Sequence, residues 1–357
     1  MLELKATNFR PIKVAVAPPV PWRGGWDAYR SGSGPDPLAV FREMRLHGVE
    51  MTLVDPSAFT QRLTRGLPSL YTGFDPIRGL ELLVNFRRFD MVLTVLEAGA
   101  VVPLMLRKLV SFKAKIAMWD LVPTQTWLPR LMMQRATFPR VDHFFVLSEY
   151  HAAYLHEHYN RTNATVIGHS VDSGFYVPGI WNPDGPLVVI GDDSGRDFET
   201  LLEAVSDLDI DVIFRTSKAP QRRPGRARIT HISNRISFIE LRALYGSASI
   251  CVVPLHRTLN CSGVSSMLEA MAMGVPLIVS ENPPISDFYV ADATAVVVPP
   301  NDPASLRDAI VALRAAPARA SALAAEARLM VEAKFSNEAF AARFAAAISR
   351  VVQPTPQ

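Results

Sequence analysis

The amino-acid sequence predicts an α/β protein of two domains, each built on a parallel sheet. Its 357 residues are more than twice the roughly 150 that one domain needs. Short apolar segments alternate with helical segments along the chain, which is the pattern of repeated strand–helix–strand units. The alternation is interrupted once, over residues 176–186, by three prolines and two glycines, and then resumes. Two such domains usually hold a ligand in the cleft between them, at the carboxyl ends of their strands.

Composition and charge exclude several classes of protein. With 49% hydrophobic and 20% charged residues, the chain can bury a sizeable core, which excludes a long disordered or coiled-coil protein. The net charge of +3 is too small to indicate a nucleic acid partner. The basic surplus lies in residues 1–177, with 20 basic and 15 acidic side chains, whereas residues 178–357 have 17 and 19.

The cysteines and the apolar segments indicate the cellular setting. Cys251 and Cys261 are the only cysteines, too few for a disulfide framework or a cysteine-rich zinc site, so we expect a reducing, cytoplasmic setting. The first 22 residues contain no segment typical of a cleaved signal. Nowhere do the roughly 20 apolar residues of a spanning helix occur together. We therefore expect a soluble protein or one attached peripherally to a membrane.

The first half of the chain supplies one full set of alternating elements. Its predicted strands are Lys13–Ala17, Val49–Val54, Met91–Val95, Lys115–Met118, His143–Leu147 and Ala164–Gly168. Its predicted helices lie near Asp36–His47, Val101–Leu109, Trp127–Arg135 and Glu149–His158. In the first helix Leu38, Phe41 and Met44 recur at helical spacing, and Gly48 ends it. Residues 1–177 are therefore predicted to form the first domain.

The second half repeats the alternation. Its predicted strands are Leu187–Gly191, Asp211–Arg215, Ile229–Ile232, Ser249–Val253, Pro276–Ser280 and Ala295–Val298. Its predicted helices are Asp197–Val205, Phe238–Gly246, Val264–Met273, Pro303–Ala315, Ala318–Phe335 and, near the end of the chain, Ser336–Val352. Residues 178–335 are predicted to form the second domain.

The most informative polar residues lie between Cys251 and Ser280, in a predicted strand, polar loop, helix and strand. The loop and the first helical turn contain Asn260, Ser262, Gly263, Val264, Ser265 and Ser266. Free backbone N–H groups and the positive end of the helix dipole suit a phosphate there. Glu269, about one turn further on, is placed to accept hydrogen bonds from a ribose diol. A simply capped helix with a solvated glutamate fits these residues equally well.

Residues Leu268–Ser280 resemble the carboxyl-terminal signature of the family 4 retaining glycosyltransferases. Four further segments resemble family motifs in the same order, namely Val141–Ser148, Val166–Phe175, Val189–Ala204 and Leu241–Pro254. The likeness is good over residues 140–300 and is one of pattern before them. It implies the GT-B fold, in which two Rossmann-like domains face each other across a cleft. It also implies a first domain that binds the acceptor, a second that binds a nucleotide sugar, and a terminal helix, residues 336–357, that crosses back to the first domain.

The resemblance assigns a ribose contact to Glu269. In the family this glutamate is the second carboxylate of an E-x7-E pair and holds the ribose of the nucleotide sugar. The first carboxylate of the pair falls at Cys261, and a thiol cannot accept hydrogen bonds from sugar hydroxyls as a carboxylate does. Asn260 or Ser262 would replace it in part. The chain therefore departs from the family at a sugar-binding position.

The family also places two cations on the diphosphate. At the first position this chain has Asp192, and at the second it has Arg196, whose guanidinium can clamp a phosphate through two hydrogen bonds. A charge exposed at the start of a helix is the alternative for Arg196, and the helix dipole disfavours it. Ser194 would add a hydroxyl. Asp192 and Asp193 would repel a diphosphate unless both side chains turn away.

Four other residues are site candidates, three by the same resemblance and His256 by its position. Gly24 and Gly25 match the glycine-rich first loop that approaches the diphosphate, although a plain turn is the default interpretation. His256 precedes the phosphate loop and would contact the donor. Asp120 follows the strand after which relatives often carry a histidine near the reacting sugar, and it is the catalytic candidate. A helix cap is the alternative for Asp120.

Neither a metal nor another cofactor is expected. The eight histidines show no metal-ligand spacing, and the relatives usually dispense with a metal. For most of these histidines the sequence predicts surface positions or core packing.

A basic and apolar face accounts for the positive charge of the first half. Its residues are Arg107, Lys108, Lys113, Lys115, Trp127, Leu128, Arg130, Leu131, Met132, Met133, Arg135 and Arg140. Such a face can dock on an anionic membrane that carries a lipid-linked acceptor. A solvated helix with core residues is the slightly favoured alternative.

The sequence therefore predicts a retaining glycosyltransferase that moves a hexose-type sugar from a UDP- or GDP-linked donor. The acceptor would be a sugar, a lipid-linked molecule or another small molecule, in polysaccharide or glycoconjugate assembly. A non-hydrolysing nucleotide-sugar epimerase, which converts the donor without any acceptor, is one alternative. A non-catalytic relative that binds a partner or a membrane is another, motivated by Cys261 and the missing histidine.

Overall fold

The computed structural model describes residues 10–18, 26–55, 58, 62, 79–80, 82–83, 88–97, 99–107, 113–121, 123, 128–192, 195–218 and 225–353. These residues contain two sheets of six strands each. All the strand pairings within the two sheets are parallel. The predicted α/β class is therefore confirmed.

The first sheet has the order β2-β1-β3-β4-β5-β6. Its strands are β1 (Ile12–Ala17), β2 (Val49–Leu53), β3 (Met91–Val95), β4 (Lys115–Trp119), β5 (His143–Val146) and β6 (Ala164–Val166). The described helices between them are α1 (Trp26–Arg30), α2 (Ala39–Leu46), α3 (Val101–Leu106), α4 (Leu128–Thr137) and α5 (Glu149–Tyr159). A short 3-10 turn, Phe138–Arg140, follows α4.

The second sheet has the order β12-β11-β10-β7-β8-β9. Its strands are β7 (Leu187–Ile190), β8 (Asp211–Arg215), β9 (Arg228–Ile232), β10 (Ile250–Val253), β11 (Leu277–Ser280) and β12 (Val296–Val298). Its helices are α6 (Phe198–Val205), α7 (Phe238–Ser247), α8 (Val264–Ala272), α9 (Pro303–Ala315) and α10 (Pro317–Met330). The last helix of the chain is α11 (Asn337–Val352).

Burial of the strands on both faces explains their apolar sequences. All four residues of β7, β10 and β11 are buried, as expected for central strands of a parallel sheet covered by helices. In each sheet the strand order reverses beside the first strand, between β1 and β3 and between β7 and β10. A crevice opens at the carboxyl ends of the strands at such a reversal. The loops that follow β3, β7 and β10 therefore border a ready ligand site.

The chain crosses between the two sheets twice, at neighbouring places. Near residue 171 it passes to the second sheet, and at residue 336 it returns, where the backbone N–H of Val171 donates to the carbonyl of Phe335 at 2.9 Å. The sequence predicts one helix over Ala318–Phe335. Instead, α10 ends at Met330, and a π-helical turn, Val331–Phe335, leads to the return crossing. Buried Val331 and Phe335 pack in the core of the second sheet, which fixes this turn.

Helix α11 packs on the first sheet, although it follows the second sheet in sequence. Its buried residues Phe340, Phe344 and Ile348 share one core cluster with Val14 of β1 and Phe41 of α2. Serine or aspartate side chains cap α5, α6, α7, α9 and α11, as helix starts favour. Within the described part of the chain, no helix combines the length and the hydrophobicity needed to span a lipid bilayer.

Candidate active site

A cavity of about 510 Å³ lies between the two sheets. Its described lining consists of Leu96, Asp120, Leu121, Leu147, His151, His169, Gly191, Asp192, Arg196 and the run Asn260–Ser266. Leu96 and Asp120 directly follow β3 and β4, whereas Gly191 directly follows β7. The cavity therefore occupies the carboxyl ends of strands from both sheets, where the sequence predicts a ligand.

Arg196 is fixed in the wall that the second sheet supplies. Only 7% of its surface is exposed, and its backbone forms an isolated bridge with Leu255. Its Nη2 donates to Ser266 Oγ at 2.8 Å, and Ser266 Oγ donates to the carbonyl of Ile190 at 3.0 Å. The guanidinium is thus held between the end of β7 and the start of α8. In that position it can bind a phosphate group that enters the cavity.

Three glycines make room for this arginine and its loop. A Cβ on Gly191, whose φ is +147°, would lie 2.6 Å from Cζ of Arg196. A Cβ on Gly263, whose φ is +84°, would lie 3.2 Å from Nη1 of Arg196, and one on Gly195 would lie 2.7 Å from Cβ of Ser262. No larger residue fits at Gly191 or Gly195 without displacing its neighbours. Close packing around Arg196 and Ser262 therefore explains why these positions are glycines.

Helix α8 begins at the cavity without a side-chain cap. Gly263 is its N-cap in the left-handed conformation, and no side chain of the described residues caps the helix. Ser265 is exposed and Ser266 is buried. In the preceding turn Ser262 Oγ donates to Asn260 Oδ1 at 2.6 Å. The backbone N–H of Val264 donates to the carbonyl of Cys261 at 3.2 Å. The next backbone N–H groups, at the positive end of the helix, can bind an anion.

Glu269 lies about one turn deeper in α8. It is half-buried, and its carboxylate accepts hydrogen bonds from Tyr176 Oη at 3.2 Å and Tyr245 Oη at 2.8 Å. Burial raises the pKa of Glu269 to about 7, although both tyrosine hydrogen bonds act in the opposite direction. Glu269 is not among the described residues that line the cavity. Its side chain is thus engaged behind the wall, and its ribose contact stays a prediction.

Cys261 is an uncharged part of the cavity wall. Its Sγ lies 3.0 Å from the carbonyl oxygen of Pro284 and 3.9 Å from Ser148 Oγ. Burial raises the pKa of the thiol, so that it stays protonated. A neutral group therefore stands where the sequence comparison expects a carboxylate.

Asp192 is paired with a residue that the sequence does not single out. Arg215 Nη1 donates to Asp192 Oδ2 at 2.6 Å, and the backbone N–H of Ser217 donates to Oδ1. Partial burial opposes ionisation of Asp192, but these hydrogen bonds outweigh it and lower the pKa to about 2. The negative charge of Asp192 is thus neutralised locally. Only the pairing of β7 with β8, which sets Ile190 opposite Arg215, brings Arg215 to this position.

Asp120 directly follows β4 and has an unusual backbone conformation. Its φ is +62°, and Leu96, which directly follows the neighbouring strand β3, has a φ of +57°. Residues with side chains rarely adopt such angles, and strained residues cluster at functional sites. The backbone N–H of Leu121 donates to Asp120 Oδ1 at 2.7 Å. Burial raises the pKa of Asp120 to about 7, which lets the group exist as acid or base near neutral pH.

His151 is the functional candidate that sequence reasoning missed. It lies on α5, is 1% exposed, and lines the cavity beside Asp120. Its Nδ1 is 3.7 Å from Asp120 Oδ1, and its Nε2 is 3.1 Å from the carbonyl oxygen of Leu259 in the second domain. In the sequence it is one of several histidines on a helix. Only the docking of α5 against the second domain distinguishes it.

His256, another predicted donor residue, is not brought to the cavity. His256 is half-exposed, its Nδ1 lies 3.0 Å from Asn301 Oδ1, and it is not among the described lining residues. Gly24, Gly25 and Ser194 lie outside the described residues, as does Asp193. For these glycines and the serine, the assigned donor contacts stay predictions.

A second cavity of about 340 Å³ adjoins the first. The described residues that line both cavities are Asp120, Leu147 and His169. Phe41, Trp119 and Phe340 give the second cavity an aromatic wall, whereas Asp36 and Asn337 add polar groups. Asp120 therefore stands between a space beside the phosphate-binding wall and a space beside the first sheet.

The predicted basic and apolar face is only partly present. Arg130, whose side chain is 11% exposed, forms an ion pair with Glu97, whose side chain is 2% exposed. It is therefore interior and not part of a solvated face. Leu128 and Met132 are exposed by 61% and 62%, and Arg107 pairs with Asp142 at 2.9 Å. Lys108 and Trp127 lie outside the described residues.

Comparisons with known proteins give similarities in sequence and in fold. Residues 186–315 match the family model of the glycosyl transferases group 1. In fold, the chain is similar to a sucrose-phosphate synthase from Thermosynechococcus elongatus (TM-score 0.72, 18% identity, 96% of this chain and 100% of the other covered). It is also similar to a glycosyltransferase from Rickettsia africae (0.69, 14%, 97% and 100%) and to Anabaena HepE in complex with UDP (0.67, 12%, 95% and 100%). None of the curated proteins matches it.

These similarities bear out the coarser predictions. The two-domain GT-B fold is confirmed by the paired six-stranded sheets and by the solved structures. The predicted enzyme class, a glycosyltransferase, is confirmed by the family match over residues 186–315. The roles of individual side chains stay predictions.

Proposed function

We propose that this protein is a retaining glycosyltransferase of the family 4 type that transfers a sugar from a nucleoside-diphosphate donor to a hydroxyl group of an acceptor. One observation carries the proposal. A single cavity has Arg196 and the uncapped start of α8 in its second-domain wall and Asp120 in its first-domain wall. Retention is proposed from the likeness of Leu268–Ser280 to the family signature. The neighbour HepE has been solved with UDP-glucose, which favours a UDP-linked donor over a GDP-linked one.

In this proposal the second domain binds the donor. The diphosphate accepts hydrogen bonds from the first N–H groups of α8 and from Arg196. Asn260, Ser262, Ser265 and Ser266 surround it, and Glu269 exchanges a tyrosine hydrogen bond for the ribose hydroxyls. Arg196 and the positive end of α8 both attract the diphosphate. Asp192 does not oppose them, because Arg215 already neutralises its charge.

The reaction breaks one bond and forms another at the same sugar carbon. The bond between the sugar C1 and the diphosphate oxygen breaks, and the nucleoside diphosphate leaves with the electron pair. The oxygen of the acceptor hydroxyl forms the new bond to C1, and its proton passes to the departing diphosphate oxygen. The helix start and Arg196 stabilise the charge that develops on the leaving group. Asp120 contacts a hydroxyl of the transferred sugar or of the acceptor.

The first domain would bind the acceptor. The second cavity, of about 340 Å³, suits a sugar or another small molecule, and aromatic side chains such as Trp119 favour the apolar face of a sugar ring. Exposed Leu128 and Met132 support peripheral attachment to the cytoplasmic face of a membrane when the acceptor is lipid-linked. Polysaccharide or glycoconjugate assembly is the setting that the resemblance suggests.

A binding screen with a matched pair of variants tests this function. We expect a UDP- or GDP-linked sugar to raise the unfolding midpoint by mass action and to be consumed only when an acceptor is added. Arg196→Gln is expected to weaken donor binding about 10- to 100-fold, the effect of losing a charged hydrogen bond of roughly 1.5–3 kcal/mol. Arg257→Gln, which removes an exposed arginine of the second domain, should leave binding unchanged.

Two results would redirect the assignment. Conversion of the donor into an isomer without any acceptor would indicate an epimerase. Neither binding nor turnover with any nucleotide sugar would indicate a non-catalytic binding protein.

A further inference from the structure

His151 presents an unsatisfied buried nitrogen to Asp120. Among the described residues its Nδ1 has no hydrogen-bond partner, although the side chain is 1% exposed. Asp120 Oδ1 lies 3.7 Å from it, just beyond hydrogen-bond distance. Such contacts in ligand-free active sites often shorten when substrate binds. A buried nitrogen that no group satisfies is rare, and its alignment with a carboxyl group in the cavity points to a functional pair.

The second domain fixes which nitrogen of His151 carries the proton. Nε2 lies 3.1 Å from the carbonyl oxygen of Leu259. Because a carbonyl only accepts, Nε2 must donate to it. Burial lowers the pKa of His151, so the ring is neutral and Nδ1 carries a lone pair. A lone pair facing Asp120 repels a carboxylate but accepts a hydrogen bond from a carboxylic acid.

The surroundings of Asp120 act in the same direction. The titratable or charged groups that act on the pair are Glu97, Arg130, Cys261 and Asp287. His169, Asp192 and Arg196 line the same cavity, and the charge of Asp192 is neutralised by Arg215. Burial is the largest cause of the raised pKa of Asp120, Glu97 raises it further, and Arg130 and the N–H of Leu121 oppose it. Arg130 is itself paired with Glu97, and the Cys261 thiol is neutral. Within the described part of the site, the environment therefore favours the protonated acid.

We propose that Asp120 and His151 share one proton, and that His151 is a positioning residue that holds Asp120 as an uncharged hydrogen-bonding group beside the donor. In this arrangement Asp120 donates to Nδ1 of His151 through one carboxyl oxygen, while the other oxygen accepts a hydroxyl hydrogen bond from the sugar. This inference rests on the proposed donor site. It adds a role for His151, through Leu259, in linking the first domain to the loop that leads into α8.

The physical benefit is the absence of a charge next to the diphosphate. An ionised Asp120 would set a negative charge in the cavity that receives the doubly charged diphosphate, and like charges in a partly buried site repel strongly. Donor affinity is therefore expected to fall as Asp120 loses its proton. The thiol of Cys261 in the same cavity is also neutral, so it adds no negative charge beside the diphosphate.

Donor affinity measured against pH tests the pair. UDP-glucose is a suitable probe, because the charge of its diphosphate is constant between about pH 6 and about pH 9. For the native protein we expect affinity to weaken with increasing pH above about 7, by up to about tenfold per pH unit if only the protonated form binds. Asp120→Asn, a permanently neutral replacement, should bind the donor with an affinity that does not depend on pH in this range.

Variants of the histidine separate positioning from packing. His151→Gln keeps a donor for the Leu259 carbonyl but removes the ring nitrogen at the δ1 position that faces Asp120, and it should shift the loss of affinity to lower pH. His158→Gln on the same helix removes a histidine whose Nδ1 lies 3.2 Å from the carbonyl oxygen of Tyr154. It should bind the donor with the native pH dependence.

A measurement on the free protein separates this inference from the proposed function. Carbon NMR of labelled aspartate should show a carboxyl group titrating near pH 7 that is absent in Asp120→Asn and moves to lower pH in His151→Gln. The inference is overturned if Asp120 titrates in its ordinary range, or if donor binds with pH-independent affinity. Failure of every nucleotide sugar to bind, with the titration intact, would instead contradict the proposed function.

Discussion

At the scale of single residues, the position of Arg196 depends on what its neighbours lack. The guanidinium lies over the backbone of Gly191 and next to Gly263, where a Cβ would collide with it or press against it. The sequence shows the glycines and the arginine as separate signals. Their common purpose, a fixed cation at the end of β7, becomes visible only from the distances.

Gly191→Ala tests this dependence. The added Cβ would lie 2.6 Å from Cζ of Arg196, so the guanidinium must move, and we expect donor affinity to fall at least about tenfold, the equivalent of roughly one charged hydrogen bond. Gly32→Ala is a matched control, because Gly32 also has a positive φ (+70°) but has open space around its Cβ position. Calorimetry should show native affinity in the control, with a stability loss of about 1 kcal/mol. Equal affinities in both variants would contradict the proposed role of Arg196.

At the scale of elements, α4 is anchored through its polar side chains. Glu97, in the turn after β3, forms the ion pair with Arg130 and accepts a hydrogen bond from Gln134 Nε2 at 2.5 Å. Tyr159 of α5 donates to Gln134 Oε1 at 2.7 Å. This network joins two helices and a strand end beneath Asp120. From the sequence, Arg130 is indistinguishable from a surface arginine, because its partner lies 33 positions away.

Arg130→Leu is expected to destabilise the protein. Removal of the arginine leaves the carboxylate of Glu97 buried without its charge partner, which typically lowers the free energy of unfolding by about 3–5 kcal/mol. Arg135→Leu, on an exposed position of the same helix, should change it by less than about 0.5 kcal/mol. Urea unfolding of the two variants provides the comparison. If Arg130→Leu instead lost membrane binding without losing stability, Arg130 would belong to a solvated basic face that binds membranes.

At the scale of the whole molecule, α11 completes the first domain. The ring of Phe344 lies 5.1 Å from the rings of both Trp119 and Phe145 and 5.5 Å from that of Phe340. Trp119 immediately precedes Asp120 and lines the second cavity. Helix α11, although it comes last in the described sequence, therefore packs against Trp119 and supports this wall of the second cavity. The two domains are joined by two adjacent crossings of the chain.

Phe344→Ala tests this support. Truncation of a fully buried phenylalanine typically lowers the free energy of unfolding by about 3–5 kcal/mol, and we expect the loss in the transition that reports on the first sheet. Leu329→Ala on α10 removes a side chain that is 56% exposed and should have little effect. Tryptophan fluorescence during urea unfolding can follow the first domain when the other four tryptophans are replaced by phenylalanine, so that only Trp119 reports. An unchanged transition in Phe344→Ala would show that α11 is not part of its core.

The strands and helices of this protein follow from its sequence. Strands buried on both faces of a parallel sheet require continuous apolar segments, and helices are recognised by apolar residues at helical spacing and by their capping residues. The predicted α8, for example, runs over Val264–Met273, and the observed helix over Val264–Ala272. The helix start and Arg196 could be singled out because short segments around them have a recognisable composition. His151 and Arg215 could not, since isolated polar residues acquire a role only from the partners that docking brings to them. The tertiary structure alone decided that Asp192 is neutralised, that Glu269 lies behind the cavity wall, and that a histidine of one domain reaches both Asp120 and the loop of the other. The partners in such contacts lie far apart in the sequence and meet only when the two domains pack against each other, so the sequence by itself does not show them.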